Sequence, residues 1–105
     1  MAMDDGLVRI CGVGELPPEG GLREFKAGAQ LLCVAVLNGK VRALDNACPH
    51  HGGPLGEGVL ENGKVICPWH AYAFDLETGI SADDPEERVR VFEVTVAGED
   101  VLVQL

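Results

Sequence analysis

Apolar and polar residues alternate along most of this chain, and the alternation follows a period of two rather than the longer period of a helix. On that pattern and on β-branched content, strands are expected over Leu7 to Cys11, Leu22 to Lys26, Gln30 to Leu37 and Val41 to Asp45. Further strands are expected over Lys64 to Cys67, Ala71 to Asp75, Arg88 to Val96 and Val101 to Leu105. The pairs Asn38-Gly39 and Asn62-Gly63 each stand between two such runs, and Asn-Gly tolerates the positive φ angles of a two-residue hairpin turn. Ala97-Gly98-Glu99-Asp100 supplies another turn before the last strand. A short helical turn over Val13 to Leu16 should stop at Pro17 and Pro18, whose rings exclude continuation. The fold class expected is all-β.

Asn46 to Gly58 breaks the pattern. It holds Pro49, Gly52, Gly53, Pro54, Gly56 and Gly58 around Cys48 and the adjacent histidines His50 and His51. Long irregular loops inside small chains usually carry function. All three histidines of the protein, the third being His70, fall between residues 50 and 70.

Composition bounds what that loop can serve. With 105 residues the chain is expected to form a single domain, 1–105, with one core and no room for a second catalytic domain. Its 17 acidic and 8 basic side chains give a net charge of −9, which repels phosphate backbones and anionic lipid. Nucleic acid and membrane surfaces are therefore not expected as partners, whereas a basic protein surface is. The longest apolar run, Leu31 to Leu37, is too short to span a bilayer. The acidic start Met1-Ala2-Met3-Asp4-Asp5 does not read as a signal peptide, so a cytoplasmic location is expected. In that compartment the four cysteines read as thiols or metal ligands before disulfides.

The chemistry lies in two short loops. Cys48-Pro49-His50 is a C-x-H element, Cys67-Pro68-Trp69-His70 is a C-x2-H element, and residues 51–66 separate them. Each loop offers one soft thiolate and one imidazole, a donor set suited to a transition metal. Two readings stay open on spacing alone. Two cysteines and two histidines make a tetrahedral zinc site, and with His51 in place of His50 both loops would read C-x2-H around one ion. Alternatively, with two irons present, Cys48 and Cys67 take one iron and His50 and His70 the other.

The two loops resemble those of the Rieske family, whose signature is C-x-H, a comparable gap, then C-x2-H. The resemblance is strong over Asn46 to Asp75, including Gly52, Gly58 and Phe74, and extends over the chain in length and strand order. It implies one 2Fe-2S cluster held by Cys48, His50, Cys67 and His70. It also implies antiparallel sheets in a small sandwich or barrel base, with a cluster-binding subdomain inserted at about 46–75. Among Rieske proteins the chain is similar to soluble ferredoxins and to the Rieske-type small subunit of assimilatory nitrite reductases. The wording Cys48-Pro49-His50-His51-Gly52-Gly53-Pro54-Leu55 is nearer the latter. The function implied is a one-electron carrier between a flavin-dependent reductase and a terminal oxidoreductase such as a ring-hydroxylating dioxygenase. The nitrite reductase subunit is the alternative, and a zinc-stabilised structural module the third reading. No catalytic residue of its own is expected.

Departures from the respiratory branch of the family bear on potential. That branch has an extra cysteine in each loop, joined as a disulfide, where this chain has Gly53 and Trp69; it has serine and tyrosine donors where this chain has Tyr72 and Phe74. Fewer donors to the cluster predict a potential near the low end of the Rieske range, roughly −150 mV rather than +300 mV. The loop glycines are expected to let main-chain N–H groups approach the cluster closely. Cys11 and Cys33, within apolar strands, are expected to be buried core thiols. Asp83-Asp84-Pro85-Glu86-Glu87 reads as a solvated loop, with a basic docking partner as its alternative. Gly12-Val13-Gly14 lacks the third glycine of a nucleotide-binding turn.

Overall fold

The computed structural model describes residues 7–49, 52–69 and 71–105. Nine strands form in chain order among them: β1 Leu7–Gly12, β2 Leu22–Ala27, β3 Gln30–Leu37, β4 Lys40–Asp45, β5 Val59–Glu61, β6 Lys64–Ile66, β7 Ala73–Asp75, β8 Val91–Ala97 and β9 Asp100–Gln104. Short 3-10 turns occur at Val13–Glu15 and Leu55–Glu57. All ladders are antiparallel. A six-stranded sheet runs β1-β9-β8-β4-β3-β2, and its edge strands β1 and β2 approach each other, so the sheet curls nearly shut into a barrel. A second, three-stranded sheet β5-β6-β7 is inserted between β4 and β8. This is the all-β Rieske-like architecture expected from the sequence.

β3 explains how the two sheets share one molecule. Its central residues Leu32 to Ala35 are apolar on both faces because both faces are covered there, while Leu31 is exposed. Leu32 and Val34 pack into the barrel with Ala27, Ala43, Phe92 and Val103. Cys33 and Ala35 point the other way, with Leu44, onto Leu55, Val65, Phe74, Leu76 and the two loop cysteines. The barrel is thus the platform for the small sheet, and Phe74, fully buried, is the largest side chain in the seam.

Both Asn-Gly hairpins form, with Asn38 at φ 56° and Asn62 at φ 52°, each followed by a glycine at φ 76°. Most strand ends fall within one residue of the sequence reading, and three differences are larger. β5 was not expected; it is three residues long and pairs Val59 with Ile66, too short for alternation to signal. β7 begins at Ala73 rather than Ala71 because Ala71 sits at φ 60°, a left-handed conformation that a strand cannot contain. β8 begins at Val91 rather than Arg88. Arg88 bridges to Ile80, the Val89 N–H donates to the Gly79 carbonyl at 2.9 Å, and the Arg90 carbonyl accepts from Asp45 N–H at 2.9 Å, so these residues stitch the inserted sheet to the barrel. The acidic run 83–87 is an ordered turn beside β7. Asp83 Oδ2 accepts the Ala73 N–H at 3.0 Å, and the buried Ser81 Oγ accepts from the Asp83 and Asp84 N–H groups.

Candidate metal centre

The first cysteine loop leaves β4 and is closed like a zipper. Asn46 accepts at its carbonyl from Leu55 N–H at 2.8 Å, and Ala47 bridges Pro54. Cys48 N–H donates to the Gly53 carbonyl at 2.9 Å, and Gly52 N–H donates to the Cys48 carbonyl at 2.7 Å. Gly52 makes the reversal possible at φ 74°, where a side chain would be strained. The second loop leaves β6. Cys67 N–H donates to the Tyr72 carbonyl at 2.8 Å, and Ala71 turns the chain back toward β7.

These two loops bring Cys48 and Cys67 together. The thiols are 3% and 1% exposed, lie within hydrogen-bonding reach of each other and form no disulfide. Burial pushes the Cys67 thiol above its ordinary value; the main-chain N–H of Trp69, donated to its sulfur, pulls the other way, and the Cys48 thiol raises it further. A metal held here would have to displace the Cys67 proton. Gly53 completes the cradle: a Cβ there would lie 2.9 Å from Cys67 Sγ and 3.1 Å from the Trp69 ring. Two adjacent buried sulfurs, an N–H aimed at one of them and a wall without a side chain suit the thiolate half of an iron–sulfur centre. His50, His51 and His70 lie outside the described residues.

The glycines divide their work differently from the sequence expectation. Of Gly53, Gly56 and Gly58, only Gly53 faces a cysteine sulfur. A Cβ on Gly56 would collide with Glu24 and Asn46, and one on Gly58 with the Ile66 carbonyl, so these two admit other parts of the protein. Asn46 and Glu24 were not singled out in the sequence. The available signal was a buried-type polar residue placed just before the turn-rich loop. Cys11 and Cys33 are buried free thiols, as expected, and burial, with some help from Glu24, pushes Cys33 up to about 12. Trp69 is 48% exposed beside the cysteine pair, while Phe74 is core and Tyr72 half-buried.

A nearly closed barrel that carries an inserted three-stranded sheet, with two cysteine loops converging at it, defines a Rieske-type electron-transfer module. The chain matches the Rieske [2Fe-2S] domain over residues 6–102 and belongs to that family. The family carries one Rieske 2Fe-2S cluster, which decides for iron over zinc.

Among similar proteins, apoptosis-inducing factor 3 of Homo sapiens is 38% identical over 96 residues, spanning 90% of this chain but only 16% of that protein. Ferredoxin CarAc of Metapseudomonas resinovorans is 31% identical over 100 residues, spanning 88% of this chain and 94% of that ferredoxin. In structure, the ferredoxin of carbazole 1,9a-dioxygenase from Nocardioides aromaticivorans IC177 superposes with a TM-score of 0.83 at 30% identity, over 92% of this chain and 95% of that one. The complex of reduced oxygenase and oxidized ferredoxin in carbazole 1,9a-dioxygenase gives 0.81 at 30% identity, over 96% and 94%. A putative NADH-dependent nitrite reductase small subunit from Mycobacterium tuberculosis shares the fold, with a TM-score of 0.83 at 24% identity over 92% of both chains.

Proposed function

We propose that this chain is a one-electron carrier, taking electrons from a flavin-dependent reductase and passing them to a terminal oxygenase of the ring-hydroxylating type. The cluster supplies a single-electron couple when bound. The observation that carries the reading is the convergence of Cys48 and Cys67 from two loops onto one buried spot. In this assignment Cys48 and Cys67 hold one iron, and His50 and His70 hold the other. The unit is one Rieske domain over 1–105, with its cluster-binding part at about 46–75.

The chain's own residues have definable tasks. Leu55, Val65 and Phe74 exclude water behind the sulfurs, so the local dielectric is low and an N–H dipole there acts strongly. Trp69 N–H orients the Cys67 sulfur. The half-exposed Trp69 ring beside Cys67 offers an apolar contact for a docking protein.

Likeness to the carbazole dioxygenase ferredoxins, one of them seen with its oxygenase, supports an oxygenase as acceptor. Among the described residues no helix is long and apolar enough to cross a membrane, which fits a carrier that moves between partners.

The test is the electron paramagnetic resonance spectrum of the dithionite-reduced protein, with iron and acid-labile sulfide counted. A Rieske spectrum from wild type, absent in Cys48→Ser and Cys67→Ser and altered in His50→Cys and His70→Cys, is the expected result. A wild type with no iron and no sulfide ends the proposal. The nitrite reductase alternative is favoured by the wording of the first loop; an endogenous protein that elutes only within a lasting large complex selects it over a free carrier.

A further inference from the structure

Beside the cysteine pair, a polar side chain ties the first loop to the barrel. Asn46 is buried, 5% exposed, and reaches three separate segments. Its main-chain N–H donates to the Leu31 carbonyl at the start of β3 at 3.2 Å. Its carbonyl accepts from Leu55 N–H and its side-chain Oδ1 accepts from Gly56 N–H at 2.7 Å, both on the far arm of the first cysteine loop. Its side-chain Nδ2 donates to Glu24 Oε2 on β2 at 2.7 Å.

Glu24 is built into this arrangement. A Cβ at Gly56 would overlap the Glu24 side chain, stand 2.8 Å from Asn46 Oδ1 and press on the Glu24 main-chain nitrogen at 3.0 Å, so a glycine here lets the loop sit close against Glu24 and Asn46. A buried asparagine that merely needed partners would be served by main-chain groups. Here a charged side chain from the barrel has been brought in to accept from it, and hydrogen bonds to a charged group are the stronger kind.

We propose that Glu24 and Asn46 form a clamp that sets the position of the first cysteine loop on the barrel, with Glu24 as the positioning residue. The amide of Asn46 is read in both directions. Its donor end is fixed by the carboxylate, which leaves its acceptor end directed at Gly56 N–H. That in turn fixes the arm of the zipper whose next rungs are Ala47–Pro54 and Cys48–Gly53. The consequence for the cluster rests on Cys48 being a ligand, as proposed above; the clamp itself does not.

The experiment is a rescue. In Asn46→Asp a second carboxylate replaces the donor and faces Glu24, so the loop loses its tie and gains a repulsion. In the double variant Asn46→Asp with Glu24→Gln, the glutamine amide donates to the new aspartate and the polarity of the bond is reversed but restored. Two readouts are taken on the full chain: amide hydrogen exchange at Leu55 and Gly56, and the rate of cluster loss to a chelator together with the width of the reduced resonance signal. We expect N46D to exchange and to lose its cluster about tenfold or more faster than wild type, and the double variant to return to within about threefold. Wild-type exchange in N46D, or a double variant no better than N46D, overturns the clamp.

If N46D does not fold, Glu24→Ala against Glu24→Gln carries the same comparison: E24A speeds exchange at Gly56 about tenfold, E24Q does not, and equal behaviour of the two refutes the proposal. A wild type without iron would sink the ligand assignment while the exchange arm still decides the clamp.

Discussion

Replacing Gly53 by alanine isolates one contact, and the structure says what it should cost. Gly53 is buried, and its added methyl would lie 2.9 Å from Cys67 Sγ and 3.1 Å from two atoms of the Trp69 ring. Non-bonded contacts of this kind are comfortable at about 3.5–4.0 Å, so something must move by more than about half an ångström. Trp69, half-exposed, can swing outward. Cys67 cannot, because it is 1% exposed and tied by its N–H to the Tyr72 carbonyl.

Overpacking of that sort costs about 1–3 kcal/mol. Taking about 2 kcal/mol, the melting midpoint should fall by about 8–16 °C, at about 4–8 °C per kcal/mol for a chain this small. Gly53→Val should cost more. The control is Gly52→Ala, where φ is 74° but nothing lies within 4 Å of the new methyl. It should strain the backbone by about 1–2 kcal/mol without touching Cys67. The assay is thermal unfolding followed in the far ultraviolet and in the visible band of the cluster, with the reduced resonance spectrum of each variant. Both variants should melt early, but only G53A should shift the spectrum. A G53A protein that melts within about 1 °C of wild type with an unchanged spectrum refutes the reasoning.

Other outcomes follow from the same structure. Gly58→Ala drives a Cβ into the Ile66 main-chain carbonyl, which has nowhere to go. It should cost about 3 kcal/mol or more, visible as a lowered denaturant midpoint or as insoluble protein. Asp75 is held below the ordinary carboxylate value by the N–H groups of Glu77 and Thr78, at 2.8 and 3.0 Å. Because its folded value is the lower one, its contribution is present above the unfolded value and fades as pH falls through the folded value. The stability gap between wild type and Asp75→Asn should therefore shrink as pH falls below the ordinary Asp value of about 3.9, and a gap that stays constant as acid is added would contradict the assignment. Cys33, pushed up to about 12 by burial, should resist iodoacetamide at pH 8 in the folded protein and react only after unfolding; mass spectrometry of labelled peptides checks this. The midpoint potential should lie nearer roughly −150 mV than +300 mV, since Phe74 carries no hydroxyl; a potentiometric titration settling near the upper figure would refute the donor argument.

Much of the site is legible in the sequence. Two cysteine–histidine elements point to a metal centre because those donor types seldom occur together by chance, the resemblance to the Rieske family narrows it to a cluster, and the period-two pattern with two Asn-Gly turns points to antiparallel strands. Less legible was everything set by contact between distant segments. β5 is too short to alternate visibly, and Ala71 takes a left-handed conformation that no local composition announces. Gly56 and Gly58 make room for Glu24, Asn46 and the Ile66 carbonyl rather than for a cluster, because a glycine in a loop does not say which neighbour it admits.

What the amino-acid order determined by itself is therefore chemical and local: which donors exist, where the chain can turn, which stretches can pair. Tertiary structure alone decided that Cys33 and Ala35 would face the inserted sheet while Leu32 and Val34 face the barrel, and that Glu24 would reach Asn46 across 22 positions of chain. The physical reason is that turn preference and side-chain period act over a few bonds. The partner that a buried polar group finds depends on how two whole sheets pack, and that is a property of the assembled fold.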